Sequence, residues 1–173
     1  MYKRQSGFLL IDQQTAHERI LFERYLSALD KNEALVQKEL FPTTIHLSTA
    51  DAEILKTILP QVNALGFDLQ DFGQNSFVLH GIPAHSKNKE AQKMVELLIE
   101  QFKNNVALHL DLQENLAHSL ACSTSIKKGQ GLTPLEMQHL IDELFACEIP
   151  YKGPNGKSCF VAYNLEELDK LFI

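Results

Sequence analysis

The chain has 173 residues, 45% hydrophobic and 22% charged, with a formal net charge of −6; that length suits one compact domain or two small lobes with a real core. No apolar run is long enough to cross a bilayer, no secretory leader is visible, and three cysteines without C-x-x-C spacing suit a reducing, cytosolic setting. The acidic balance argues against a broad phosphate-binding surface, which needs clustered Lys and Arg, so any DNA contact must be local or come from another domain.

The chain enters its first expected strand, Phe8 to Ile11, with almost no lead-in, as an excised domain would. That run is continuously apolar and lies between Gly7 and Asp12, the pattern of a buried strand. Apolar residues then recur at helical spacing from Ala16 through Ile20, Leu21, Tyr25 and Leu26 to Leu29, so a long helix is expected to end near Asp30 to Asn32. Leu40 to Leu47 reads as a strand, and Ser48 as the cap of a helix that Pro60 should kink and Gly66 should stop. Phe67 to Phe72 and Ser76 to Ile82 read as two strands joined through Gly73, Gln74 and Asn75, completing a β-α-β-β unit closed by Pro83.

Helices are expected over Lys89 to Asn104 and Leu112 to Lys128, the second stopped by Gly129 and Gly131. Thr133-Pro134-Leu135-Glu136 is a capping box with Pro at the first helical position, opening a helix to Cys147. Asn155-Gly156 suits a type I′ hairpin turn before a β-rich stretch from Ser158 to Tyr163, and Asn164 is placed to cap a short terminal helix. Gly156-Lys157-Ser158 is not a phosphate-binding loop, because Tyr151 stands where the earlier glycine is required. Lys127 and Lys128 are explained by the helix dipole alone, and Cys147 and Cys159 read as packed thiols.

Asp12-Gln13-Gln14-Thr15-Ala16-His17-Glu18-Arg19-Ile20-Leu21-Phe22-Glu23 resembles the strand-to-helix signature of the MutL carboxy-terminal domains of DNA mismatch repair. Ala121-Cys122 with Ile126-Lys127-Lys128-Gly129 is similar to that family's helix end, and Pro154-Asn155-Gly156-Lys157 to its Pro-His-Gly-Arg turn. Leu40-Phe41-Pro42, Leu65-Gly66-Phe67 and Ile82-Pro83 resemble its central lobe. The resemblance implies a two-lobed α+β fold: a discontinuous dimerisation lobe of sheet plus helices, residues 1–35 and 121–173, and an inserted β-α-β-β-α regulatory, clamp-contacting lobe, residues 36–120.

It also implies a homodimer whose interface uses Phe8, Leu9, Leu10, Ile11, Phe160 and Val161, with a further strand expected in the family before Phe8 and absent here. The partners implied are a second copy, the sliding clamp, and, through the full-length protein, a mismatch-recognition protein and DNA, in a cytoplasmic, nucleoid-associated setting without a membrane. The family's amino-terminal ATPase motifs are missing, so no ATPase is expected of these residues.

Nicking members of the family carry a metal site at the positions that read here Gln14, Glu18, Cys122, Gly153 and Asn155, so three of the five ligand positions are changed. Asp12, Glu18 and Glu23 keep the acidic part of the motif and would be the catalytic residues; Glu18 and Cys122, with His118 one helical turn before Cys122, would be the ligands of a rescued site. Zn or Mn is the ion implied if the altered site is competent, and no cofactor follows from the residues otherwise. The plainer alternative makes Glu18 the partner of Thr15 in a capping box, Cys122 a small core residue, and the histidines surface or hydrogen-bonded groups. Gln37-Lys38-Glu39-Leu40-Phe41 fits the short Gln-x-x-Leu-Phe pattern that docks to sliding clamps, against the alternative that Leu40 and Phe41 begin a buried strand.

Overall fold

A computed structural model of the chain describes residues 2–4, 7–31, 34–84, 91–104 and 111–170. The expected helix limits at Asn32 and Lys89 lie outside them. Two small antiparallel sheets and their helices make an α+β fold. By contact the chain forms two compact units, Met1–Leu21 with Ser125–Ile173, and Phe22–Thr124. None of the described helices is long and apolar enough to cross a membrane.

In the first unit, β2 (Gly7–Ile11) lies between β1 (Tyr2–Arg4) and β6 (Phe160–Asn164). A strand therefore does precede Phe8, contrary to the expectation that this chain lacks one: β1 places Tyr2 opposite Leu9 and Arg4 opposite Gly7. Side chains alternate across a strand, so the β2–β6 register puts Leu9 with Ala162 and Ile11 with Phe160 on one face, and Phe8 with Tyr163 and Leu10 with Val161 on the other. Gly7 allows this pairing, since a Cβ there would collide with the carbonyl oxygen of Tyr163.

The inner face joins helix α1 (Gln13–Lys31), whose early residues belong to this unit, and α5 (Pro134–Ala146). Ala16, Ile20, Leu140, Leu144 and Cys159 form the core cluster, with Ile11, Leu132, Cys147 and Phe160 packed against it. The capping box that opens α5 is complete: Thr133 Oγ1 accepts from the Glu136 N–H at 3.3 Å and Glu136 Oε2 accepts from the Thr133 N–H at 2.9 Å. Asn164 and Glu167 make the same reciprocal pair at the start of α6 (Leu165–Asp169), at 2.7 and 3.0 Å.

In the second unit, β3 (Val36–His46), α2 (Thr49–Ala64), β4 (Asp68–Gly73) and β5 (Ser76–Pro83) form the expected β-α-β-β unit, with β5 central in the order β3-β5-β4. Strand β3 begins earlier than Leu40, and α2, capped by Ser48, continues through Pro60 to Ala64. Asn63 serves as a surrogate strand, its side chain donating to the Leu69 carbonyl and accepting from the Leu69 N–H, both at 3.0 Å. Helices α3 (Ala91–Asn104) and α4 (Leu112–Thr124) pack as a pair. Helix α4 stops at Thr124, short of the expected Lys128, where Ser123 and Thr124 hydroxyls turn back to the Leu120 carbonyl.

The two-residue hairpin with both central residues in the left-handed region is Gln74-Asn75, at φ 48° and 60°, which is the sign pattern of type I′. Asn155-Gly156 departs from the expectation: only Gly156 has a positive φ, and the turn closes instead through Gly153 N–H to Lys157 carbonyl at 2.7 Å, while Asn155 Oδ1 accepts from the Lys157 N–H at 3.0 Å. Asn155 thus acts through its side-chain acceptor and not, as a type I′ turn would require, as a second left-handed residue beside Gly156. Non-glycine residues at positive φ cost about 1 kcal/mol; replacing Gln74-Asn75 by Asn-Gly is expected to raise the urea midpoint without altering its slope.

Candidate functional site

The first turns of α1 carry the site because their polar side chains hold two loops. Asp12 begins the helix: its Oδ1 accepts from the N–H groups of Gln14 and Thr15, both at 3.1 Å, and its carbonyl accepts from Ala16 at 2.9 Å. These bonds satisfy donors that a helix start leaves unpaired. Asp12 Oδ2 also meets Lys128 Nζ at 2.9 Å. Burial alone would raise the Asp12 pKa, but the Thr15 N–H, the hydrogen bond and charge of Lys128 and the Gln14 N–H together lower it below its ordinary value.

The loop over residues 126–130 is held by three side chains of α1. Gln13 Nε2 donates to the carbonyls of Lys127 and Gln130, each at 2.9 Å, Gln14 Oε1 accepts from the Lys128 N–H at 3.3 Å, and His17 Nδ1 accepts from the Ile126 N–H at 2.9 Å. His17 therefore presents an unprotonated Nδ1. The loop over residues 152–157 is held by Arg19, whose Nε donates to the Lys152 carbonyl at 2.6 Å, and by Glu18, whose Oε2 accepts from Asn155 Nδ2 at 3.3 Å. The other carboxylate oxygen of Glu18 accepts from Gln14 Nε2 at 2.9 Å. Glu18 and Arg19 are only 3% and 7% exposed.

These contacts replace the expected Thr15–Glu18 capping box: Asp12 supplies the cap, and Glu18 is engaged by two amides. Of the family's ligand positions, Gln14, Glu18 and Asn155 come together, but as donor, acceptor, donor. Among the described residues no group of three or more His, Cys, Asp or Glu side chains could hold a metal ion.

His118 and Cys122 lie on α4 in the second unit. His118 is buried, edge-on to Phe22 with ring centroids 6.4 Å apart, and Cys122 Sγ is 3.9 Å from both ring nitrogens, an approach that favours neither. Glu23 belongs to that unit as well.

Gln37, Leu40 and Phe41 lie on β3, at one edge of its sheet. The β3–β5 register shifts between Lys38 and Thr43, and Leu40 and Phe41 are 91% and 84% exposed, so the alternative that they begin a buried strand is incorrect. The six residues named for a dimer surface divide between the faces of their sheet: Leu9, Ile11 and Phe160 face the core side, and Phe8, Leu10 and Val161 the other. Tyr163, in the expected strand but not among those six residues, completes that outer face by stacking on Phe8 at 5.4 Å. Its signal was the two-residue alternation with Val161. The loop-holding roles of Gln13, His17 and Arg19 were also missed, because nothing local marks the carbonyls and N–H groups they meet more than 100 positions away.

Comparison with known proteins identifies a family. Residues 1–132 match the family model described as the MutL C terminal dimerisation domain. The chain is similar to the DNA mismatch repair protein MutL of Chloroherpeton thalassium, 38% identical over 97% of this chain and 26% of that protein. It is also similar to those of Chlorobium phaeobacteroides and Prosthecochloris aestuarii, each 36% identical over 97% of the chain and 27% of the relative. It thus spans about a quarter of the length of these relatives.

A carboxylate whose pKa is lowered by folding contributes stability above its unfolded pKa and loses it as pH falls through the lower folded value. Asp12→Asn, which keeps the cap but loses the charge, is expected to be less stable than the wild type at pH 7. The difference should close as the pH is lowered through and below the ordinary Asp value of 3.8, followed by urea unfolding at several pH values.

Proposed function

The chain belongs to the MutL C-terminal dimerisation domain family, and from that premise we propose that it joins two copies of a mismatch-repair protein and docks to the sliding clamp. The outer face of the β1-β2-β6 sheet carries the first part. Leu10, Val161 and Tyr163 are 52%, 43% and 37% exposed on it, beside Phe8. An apolar sheet face of this kind is stabilised by removal from water, and a two-fold axis would let the same patch serve both copies.

The second part rests on Gln37, Leu40 and Phe41. An exposed Leu-Phe pair beside an exposed Gln, at an irregular stretch of an edge strand, offers an apolar pocket two adjacent anchors and a polar group for register. Contact with a mismatch-recognition protein and with DNA is assigned to the full-length protein, since the acidic chain has no excess of basic residues, and that protein is proposed to work in the cytoplasm at the nucleoid. The alternative of a metal-dependent nicking domain lacks comparable support, because amides stand where imidazoles would be needed.

Light scattering should give a mass near twice 19.6 kDa, and Leu10→Glu/Val161→Glu should reduce it to the monomer value; a wild-type monomer at high micromolar concentration would overturn the interface. Fluorescence polarisation with the clamp should lose at least tenfold in affinity, about 1.4 kcal/mol, in Gln37→Ala/Leu40→Ala. An unchanged affinity would remove the docking assignment.

A further inference from the structure

Glu18 is nearly fully buried, and each of its carboxylate oxygens is met by a primary amide, Gln14 Nε2 at 2.9 Å and Asn155 Nδ2 at 3.3 Å. Both amides have their oxygens committed as well: Gln14 Oε1 accepts from the Lys128 N–H and Asn155 Oδ1 from the Lys157 N–H. The orientation of each amide is therefore set by a backbone donor, which leaves its nitrogen directed at Glu18. A divalent cation on this carboxylate would need lone pairs from its neighbours, and here the neighbours offer N–H groups.

Space gives a second argument. Gly153 packs so closely on α1 that an added Cβ would lie 2.6 Å from Thr15 Cγ2 and 3.2 Å from Asn155 Oδ1. No ligand-bearing side chain fits at that position unless Thr15 moves. The turn is seated at its start as well, where Arg19 Nε meets the Lys152 carbonyl at 2.6 Å.

We infer that Gln14, Glu18 and Asn155 form a metal-free clasp, a charge-assisted hydrogen-bond set that seats the 152–157 turn on α1 in place of a metal ion. The carboxylate is the centre of the clasp, and its two amide partners neutralise by hydrogen bonding what a cation would neutralise by charge. The inference does not depend on dimerisation or on clamp docking, and neither light scattering nor clamp binding tests it.

The test uses elemental analysis and amide hydrogen exchange on the chain. After incubation with zinc or manganese chloride and desalting, the wild type should retain only substoichiometric metal, and exchange at Gly153 and Gly156 should be the same with EDTA as with zinc. Glu18→Gln presents its own amide to two others and should speed exchange at those two N–H groups about tenfold, the equivalent of one charge-assisted hydrogen bond, while α2 keeps its protection. Asn155→Ala, at an exposed position, should release the same N–H groups and serves if Glu18→Gln does not fold. Stoichiometric metal retained by the wild type and lost in either variant would overturn the clasp, as would unchanged exchange at Gly153 and Gly156 in both.

Discussion

A helix that starts against the core must bury polar backbone and polar side chains together, and each of these groups costs a kilocalorie or more if it is left without a partner. Helix α1 meets this constraint from Asp12 to Arg19. Apolar Ala16 and Ile20 enter the core cluster, while Asp12, Gln13, Gln14, His17, Glu18 and Arg19 find their partners in the backbone at 126–130, the loop at 152–157, or one another. The order of residue types follows from this division. Helical periodicity sends some positions inward, and those between them reach sideways to loops that have no regular hydrogen bonding of their own.

The same helix start accounts for the place of β6. Asp12 N–H donates to the Cys159 carbonyl at 2.9 Å, one residue before β6 begins, so the turn that Glu18 and Arg19 seat leads directly into the strand paired with β2. The alternation of β2 and β6 then separates a core face from an outer apolar face. The outer apolar face is thus a consequence of the register.

The chemistry of the signature is altered in a coherent way. Replacing imidazole positions by amides would leave a buried carboxylate without compensation if the amides pointed elsewhere, a situation that is strongly destabilising. Here Gln14 and Asn155 both donate to Glu18, and Gly153 lets the turn approach Thr15 closely. Two amides thus act on one carboxylate, and Gly153 lets the turn that carries one of them lie against α1.

Much of the fold was legible in the sequence because its signals are local. Periodicity marked β2, α1 and the β-α-β-β unit, and the Thr133-Pro134-Leu135-Glu136 box marked α5. The family was legible for a similar reason, since the contiguous run from Asp12 to Glu23 carries its signature. What only tertiary structure decided are the hydrogen bonds between distant residues and the side chains that face water. The end of α4 at Thr124, the left-handed turn at Gln74-Asn75 rather than Asn155-Gly156, the exposure of Leu40 and Phe41, and the approach of Asn155 to Glu18 are of this kind. Residue type sets what a group can donate, accept or bury, but whether a carboxylate meets a cation or two amides depends on which loop, 137 positions away, is folded against it.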